Sequence, residues 1–128
     1  MNNIKKIFVM VMPATGHINP VSSVIHELNQ KNKDLKIIFY GAKENKDLIL
    51  KTGAEYREYS YYPTEDLTPQ PKDFYVGNAV FVLANGMTDF CYNILSDLVE
   101  DFEKEKPDLI IYDTFALQAK YLLHIVKR

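Results

Sequence analysis

Two hydrophobic periods alternate along this chain of 128 residues. Residues 7–12 are apolar at every position, the pattern of a short parallel strand whose two faces are both covered by helices. From Ile18 the period lengthens: Ile18, Val21, Val24, Ile25 and Leu28 recur at helical spacing, while Ser22, His26, Asn29 and Gln30 fall largely on the other side. A helix of about four turns is predicted, ending near Asn32. Residues 35–40 give a second strand closed by Gly41, and 44–51 a short helix stopped at Thr52-Gly53, a helix-ending glycine position. Alternation returns over 54–59 as a third strand.

Pro63, Pro69 and Pro71 stand among polar residues over 61–73, which predicts a loop, the segment expected to move most. Val80, Leu83, Met87, Phe90, Cys91, Ile94, Leu98 and Phe102 keep a step of three or four, so most of 78–104 reads as a helix with that stripe on the sheet. Asn85-Gly86 is a point where it can kink or divide. Pro107 ends it, and 109–112 is a fourth strand, apolar on both faces and closed by Asp113. Residues 115–126 resume a helical pattern with Leu117, Tyr121, Leu122 and Ile125 on one side.

Strands that alternate with helices predict an α/β, Rossmann-like, doubly wound parallel sheet, and right-handed crossovers give the strand order 3-2-1-4. In such sheets ligands bind outside the carboxyl ends of the strands, where the winding reverses. Here the reversal lies between the first and fourth strands. The loop over 13–20 and the loop beginning at Asp113 are therefore expected to meet at one crevice.

Composition changes this picture little. Hydrophobic residues at 47% and charged residues at 25% are ordinary globular usage and exclude a disordered or fibrous class. A net charge of -2, with no basic block, argues against nucleic acid or an anionic membrane as partner. The apolar run after Lys5-Lys6 stops at Pro13, short of a secretory leader, and no stretch approaches the ~20 apolar residues that span a bilayer. Cys91 has no partner for an internal disulfide and sits on an apolar helical stripe, so a reducing, cytoplasmic setting is expected.

The crevice carries the candidate chemistry. His17 follows Gly16 at the start of the first helix. An ordinary histidine, with a reference pKa of about 6.5, is mostly neutral at pH 7 and can accept a proton. A carboxylate behind the ring would fix its tautomer and stabilise the imidazolium. Asp113, one strand away, is the candidate for that task; the alternative is that it caps the following helix. Gly16 serves either a tight turn or the close approach of a ligand, and without Gly-X-Gly-X-X-Gly it is a poor dinucleotide loop. His26 and His124 read as surface or packing residues, and the acids Glu100, Asp101, Glu103 and Glu105 as a solvated helix end. Tyr56, Tyr59, Tyr61 and Tyr62, with Phe74 and Phe90, line an acceptor pocket or pack the sheet.

Pro13-Ala14-Thr15-Gly16-His17-Ile18-Asn19-Pro20 after a first strand, followed by Pro107-Asp108-Leu109-Ile110-Ile111-Tyr112-Asp113, resembles the N-terminal domain of family 1 glycosyltransferases, closest in flavour to the bacterial macrolide and flavonoid enzymes. The resemblance covers essentially the whole chain. It implies part of a GT-B fold of two Rossmann-like domains, with transfer of a sugar from a UDP-sugar to an acceptor hydroxyl and inversion at the anomeric carbon. It further implies His17 as base and Asp113 as its partner; Thr15, Gly16, Phe74 and Phe90 are the residues expected to bind substrate. No metal or other cofactor is implied, and UDP-sugar is a co-substrate.

Two departures stand out. Gln118 occupies a place where such enzymes often carry tryptophan or a small residue. The second, donor-binding domain has no counterpart in residues 1–128, which are expected to be an incomplete acceptor-side domain, inactive alone. The partners expected are a hydroxyl-bearing small molecule and, through the missing domain, a UDP-sugar. The runner-up reading is a non-catalytic remnant or small-molecule-binding module.

Overall fold

A computed structural model describes residues 3–63 and 76–127, with side chains from Val80 onward in the second segment. Strands β1 (Lys6–Met10), β2 (Lys36–Gly41), β3 (Glu55–Glu58) and β4 (Leu109–Tyr112) form one sheet. Its order is β3-β2-β1-β4 with every pairing parallel, as the alternation of strands and helices predicts. Helices α1 (Thr15–Lys31) and α2 (Lys46–Leu50) follow β1 and β2, and α3 (Val76–Glu105) and α4 (Leu117–Ile125) flank β4 in sequence. A single 3₁₀ turn (Lys43–Asn45) leads into α2.

Period-two alternation along the central strands divides the interior in two. Phe8, Met10, Ile38 and Tyr40 face α3 and α4, where they meet Phe90, Ile94, Leu98 and Leu122. Ile7, Val9, Ile37 and Phe39 face the opposite way, onto Ile18 and Ile25 of α1 and Ile49 of α2. Both faces of β1 and β2 are thus buried, which is why residues 7–12 carry no polar position. Gly53 adopts a φ of 80° after α2, and a Cβ there would approach Asn29 Nδ2 to 2.8 Å, so this helix end needs glycine. Cys91 is buried on α3, and burial pushes its thiol up to about 11. Among the described residues no helix is long and apolar enough to cross a membrane.

Three expectations are corrected. First, α3 runs unbroken through Asn85-Gly86, and its predicted stripe touches the sheet only from Phe90 on, leaving Val80 exposed. A helix of 30 residues is about 45 Å long, against roughly 20 Å for these strands, so it overhangs their carboxyl ends. Second, α4 buries Gln118, Ala119 and Leu122, while Tyr121 and Ile125 of the predicted stripe are half exposed. Ala116 and Ala119 let this helix seat closely on the sheet, and the Gln118 amide is satisfied by donating to Val11 O (3.2 Å) and Tyr59 Oη (3.1 Å). Strand β4 lies at the edge, as the order 3-2-1-4 predicts, and although apolar on both faces its side chains are exposed or half-buried.

The third correction concerns the acidic end of α3. Glu105 accepts from Lys6 Nζ at 2.9 Å and from Arg57 Nη2 at 2.9 Å, with Lys36 Nζ at 3.4 Å. Asp101 accepts from Tyr40 Oη at 2.8 Å. Lys6 and Lys36 begin β1 and β2 and lie in register, so the Glu105 carboxylate neutralises two like charges set side by side. Asp108 forms a second tie at this end: its Oδ2 accepts the backbone amides of Lys5 and Lys6, each at 2.9 Å. Those two amides hold its carboxyl below the usual range and dock the start of β4 against β1. The predicted loop over 61–73 lies mostly outside the described residues, as does Phe74.

Candidate active site

The parallel register of β1 and β4 pairs Met10 with Tyr112, so the chain leaves both strands at the same level. After β1 the turn is closed by Ala14 N–H donating to Met12 O at 2.7 Å, and α1 begins at Thr15. Thr15 and Gly16 are exposed there, and His17 is the third helical residue. After β4, Ala116 N–H donates to Asp113 O at 3.2 Å and Leu117 N–H to Phe115 O at 2.8 Å. This tight turn presents Asp113 and Phe115 to the same ring.

His17 Nδ1 lies 2.6 Å from Asp113 Oδ2, across 96 positions of sequence. A carboxylate only accepts hydrogen bonds, so the contact assigns the imidazole proton to Nδ1 and leaves Nε2 with its lone pair free. No partner for Nε2 is present among the described residues. The side chains of His17 and Asp113 are 31% and 22% exposed, so the pair is accessible yet partly shielded from water. Phe115 packs against the ring edge-to-face, with centroids 5.4 Å apart and planes at 82°. The other oxygen, Asp113 Oδ1, is buried without a hydrogen-bond partner among the described residues.

This geometry bears on two open alternatives. Asp113 does not cap α4: the N-cap residue is Ala116, without a side-chain cap. Gly16 is not needed for a turn, since its φ is not left-handed, and a Cβ placed on it would meet nothing within 4 Å. Open space beside Gly16 leaves room for a ligand.

Below the pair, Pro13, Tyr62, Met87, Phe90, Phe115 and Gln118 border a narrow cleft of about 20 Å³, enough for one water-sized group. Phe90 is buried at its base with its ring edge-to-face against Tyr59 and Tyr62. Tyr59 belongs to the core, where it stacks on Tyr40, while Tyr62 reaches toward Pro13 O at 3.4 Å. The structure thus sets His17 against Asp113 beside the exposed Thr15 and Gly16, and Phe115 lies between the pair and the cleft at whose base Phe90 is buried. His26 and His124 lie exposed elsewhere, on α1 and α4. Sequence reasoning missed Phe115; its one signal is its place two residues after Asp113.

No protein-family model matches the chain. In sequence it is 28% identical over 126 residues to an uncharacterized UDP-glucosyltransferase, YojK, of Bacillus subtilis, a match covering 94% of this chain and 29% of the relative. In structure it superposes on CalG4, the calicheamicin glycosyltransferase, with a TM-score of 0.71 at 21% identity, over 100% of this chain and 31% of the other. It also superposes on SsfS6, a glycosyltransferase of Streptomyces sp. SF2575, with a TM-score of 0.72 at 11% identity, over 97% of this chain and 37% of the other. The chain has the fold of a portion of these glycosyltransferases. The glycosyltransferase of kitacinnamycin gives the same result, with a TM-score of 0.70 at 22% identity, over 98% of this chain and 28% of that one. The chain spans between 28% and 37% of the length of the relatives it matches, and SsfS6 has been crystallised in complex with thymidine diphosphate.

Proposed function

We propose that this chain is the N-terminal, acceptor-binding part of an inverting glycosyltransferase that moves a sugar from a UDP-sugar to an acceptor hydroxyl. The observation that carries this reading is the 2.6 Å contact from His17 Nδ1 to Asp113 Oδ2, at the crevice where the winding of the sheet reverses. With Nδ1 committed to the carboxylate, Nε2 takes the proton of the acceptor hydroxyl as its oxygen attacks the anomeric carbon. The C–O bond to the nucleotide diphosphate breaks on the opposite side of that carbon, which inverts it. Asp113 stabilises the imidazolium formed in this step, and its charge matters most when the ring becomes positive.

Thr15 and Gly16 border the approach to Nε2, and the half-exposed Phe115 offers apolar surface to the body of the acceptor, whereas Phe90, expected from sequence to bind substrate, is buried in the core and packs the sheet instead. The donor is held by polypeptide outside residues 1–128, and turnover requires that portion. The nucleotide is assigned as UDP on the wording of the B. subtilis relative. No metal is assigned to this part.

Asp113→Asn, in a transfer-competent enzyme containing this chain, tests the reading. Transfer of glucose from UDP-glucose to a phenolic acceptor is expected to fall at least about 100-fold in kcat, with the acceptor KM little changed. A variant that turns over normally, or that loses only thermal stability, would contradict the assignment.

A further inference from the structure

Gln118 is a buried polar side chain on the first turn of α4, only 2% exposed. An amide in such a place is stable only with its hydrogen bonds made, and a methionine of similar volume would fill the same space without that demand. Its Nε2 donates to Val11 O at 3.2 Å and to Tyr59 Oη at 3.1 Å, across 107 and 59 positions of sequence. A carbonyl only accepts, so the nitrogen of the amide, not its oxygen, faces Val11. Burial pushes the Tyr59 hydroxyl above its usual range, and the charge of Asp113 adds to that rise, so this small polar cluster lies within the field of the carboxylate.

Both members of the His17–Asp113 pair stand on the segments that this amide joins. The paired backbone of β1 and β4 ends at Met10 and Tyr112. Val11 is the next residue on the β1 side, and the chain runs from it through the turn at Met12 and Ala14 into α1 and His17. Asp113 is the next residue on the β4 side, and its turn, closed by Ala116 N–H donating to Asp113 O at 3.2 Å, leads into α4 and Gln118. Just past the last backbone rung, the Gln118 amide thus crosses from the Asp113 segment back to the His17 segment as a side-chain rung. We propose that Gln118 is a positioning residue for the transfer reaction: by holding Val11 O it fixes the separation of the two strand exits and so keeps Asp113 Oδ2 on His17 Nδ1. This role rests on the reading of His17 as the base. A relative shift of about 1 Å between the exits takes the pair out of hydrogen-bond range. Val11 is fully buried, so an apolar residue at 118 leaves its carbonyl without a donor unless the β1 exit moves or water enters the cleft.

Reading the imidazole itself separates this role from packing. In the full 128-residue chain, ¹⁵N-resolved spectra of His17 and exchange of its Nδ1 proton are compared for the unsubstituted chain, Gln118→Met and Tyr59→Phe. Gln118→Met is expected to relax the preference for a proton on Nδ1 and to speed its exchange with water at least about tenfold. Tyr59→Phe removes one bond of the amide but spares Val11 O, and should keep the proton on Nδ1. In a transfer-competent enzyme containing this chain, Gln118→Met should lower kcat by about 10- to 100-fold with the acceptor KM little changed, the effect of a misplaced catalytic group. If Gln118→Met fails to fold, Gln118→Asn replaces it, because its shorter amide cannot span both partners. Protection of the Gln118 side-chain amide hydrogens is measured in the unsubstituted chain in either case. Unprotected amide hydrogens, or a His17 ring that keeps its Nδ1 proton in the Gln118 variant, would overturn the proposal. Tyr59→Phe relaxing the ring as much as the Gln118 variant would overturn it too, and assign the effect to core packing. An unsubstituted chain without a proton on Nδ1 would remove the base reading itself, and this role with it, so the two failures are told apart.

Discussion

Replacing His17 by alanine in a transfer-competent enzyme containing this chain is expected to slow sugar transfer by about 10² to 10⁴, or roughly 3 to 5 kcal/mol of barrier. The magnitude is that of general-base catalysis by one positioned group. Nε2 is the atom with a free lone pair at the crevice, while Nδ1 is committed to Asp113 Oδ2 at 2.6 Å. Alanine removes the base and also takes from the Asp113 carboxylate, whose Oδ1 has no partner among the described residues, the donor to its Oδ2. Because the ring is partly exposed on the first turn of α1, fold stability should change much less than turnover. The assay compares kcat and KM for UDP-glucose and a phenolic acceptor; a fall in kcat with nearly unchanged KM separates loss of the base from loss of binding. Full activity in the alanine variant would remove His17 from the mechanism.

Glu105→Gln is expected to cost about 2 to 4 kcal/mol of stability, because removing one partner of a shielded ion cluster leaves the others uncompensated. The Glu105 side chain is 13% exposed, and Lys6, Arg57 and Lys36 all converge on it. Hydrogen bonding from Lys6, then from Arg57, lowers its carboxyl from 4.5 to about 2. A carboxyl depressed by folding stabilises the folded state wherever it is ionised in both states, above about 4.5, and that contribution drains away as the pH falls toward 2. Melting curves should therefore show a Tm for Glu105→Gln lower by roughly 10 °C at neutral pH. The gap to the unsubstituted chain should narrow between pH 4.5 and 2. A constant gap across that window would mean that the carboxylate charge is not what holds the end of α3.

The contrast between these two sites shows what sequence can carry. The order β3-β2-β1-β4 was legible because a two-faced apolar run such as 7–12 fits only a covered central strand, and crossover handedness leaves few topologies. The meeting of His17 with Asp113 was legible for the same reason: parallel strands in register bring the residues that leave them together, however far apart in sequence. The Glu105 cluster was not, because its cations begin β1 and β2 or lie within β3, and nothing local marks them as neighbours of a helix end. Seen alone, acids and lysines alternating near Lys104 read as solvated. The buried face of α4 was missed because hydrophobicity ranked Tyr121 and Ile125 above Gln118, whereas fit and hydrogen-bond satisfaction at Val11 and Tyr59 decided which side went in. The extent of α3 on the sheet depended on strand length, which the helical stripe does not encode.

The central claim is that Asp113 holds the His17 imidazole with its proton on Nδ1, so that Nε2 is free to act as a base. ¹⁵N-resolved long-range NMR of the histidine side chains, recorded where the rings are neutral, reads this directly. His17 is expected to show a protonated Nδ1 and a bare Nε2, with that preference relaxed in Asp113→Asn. A His17 ring protonated at Nε2, or one unchanged by Asp113→Asn, would contradict it.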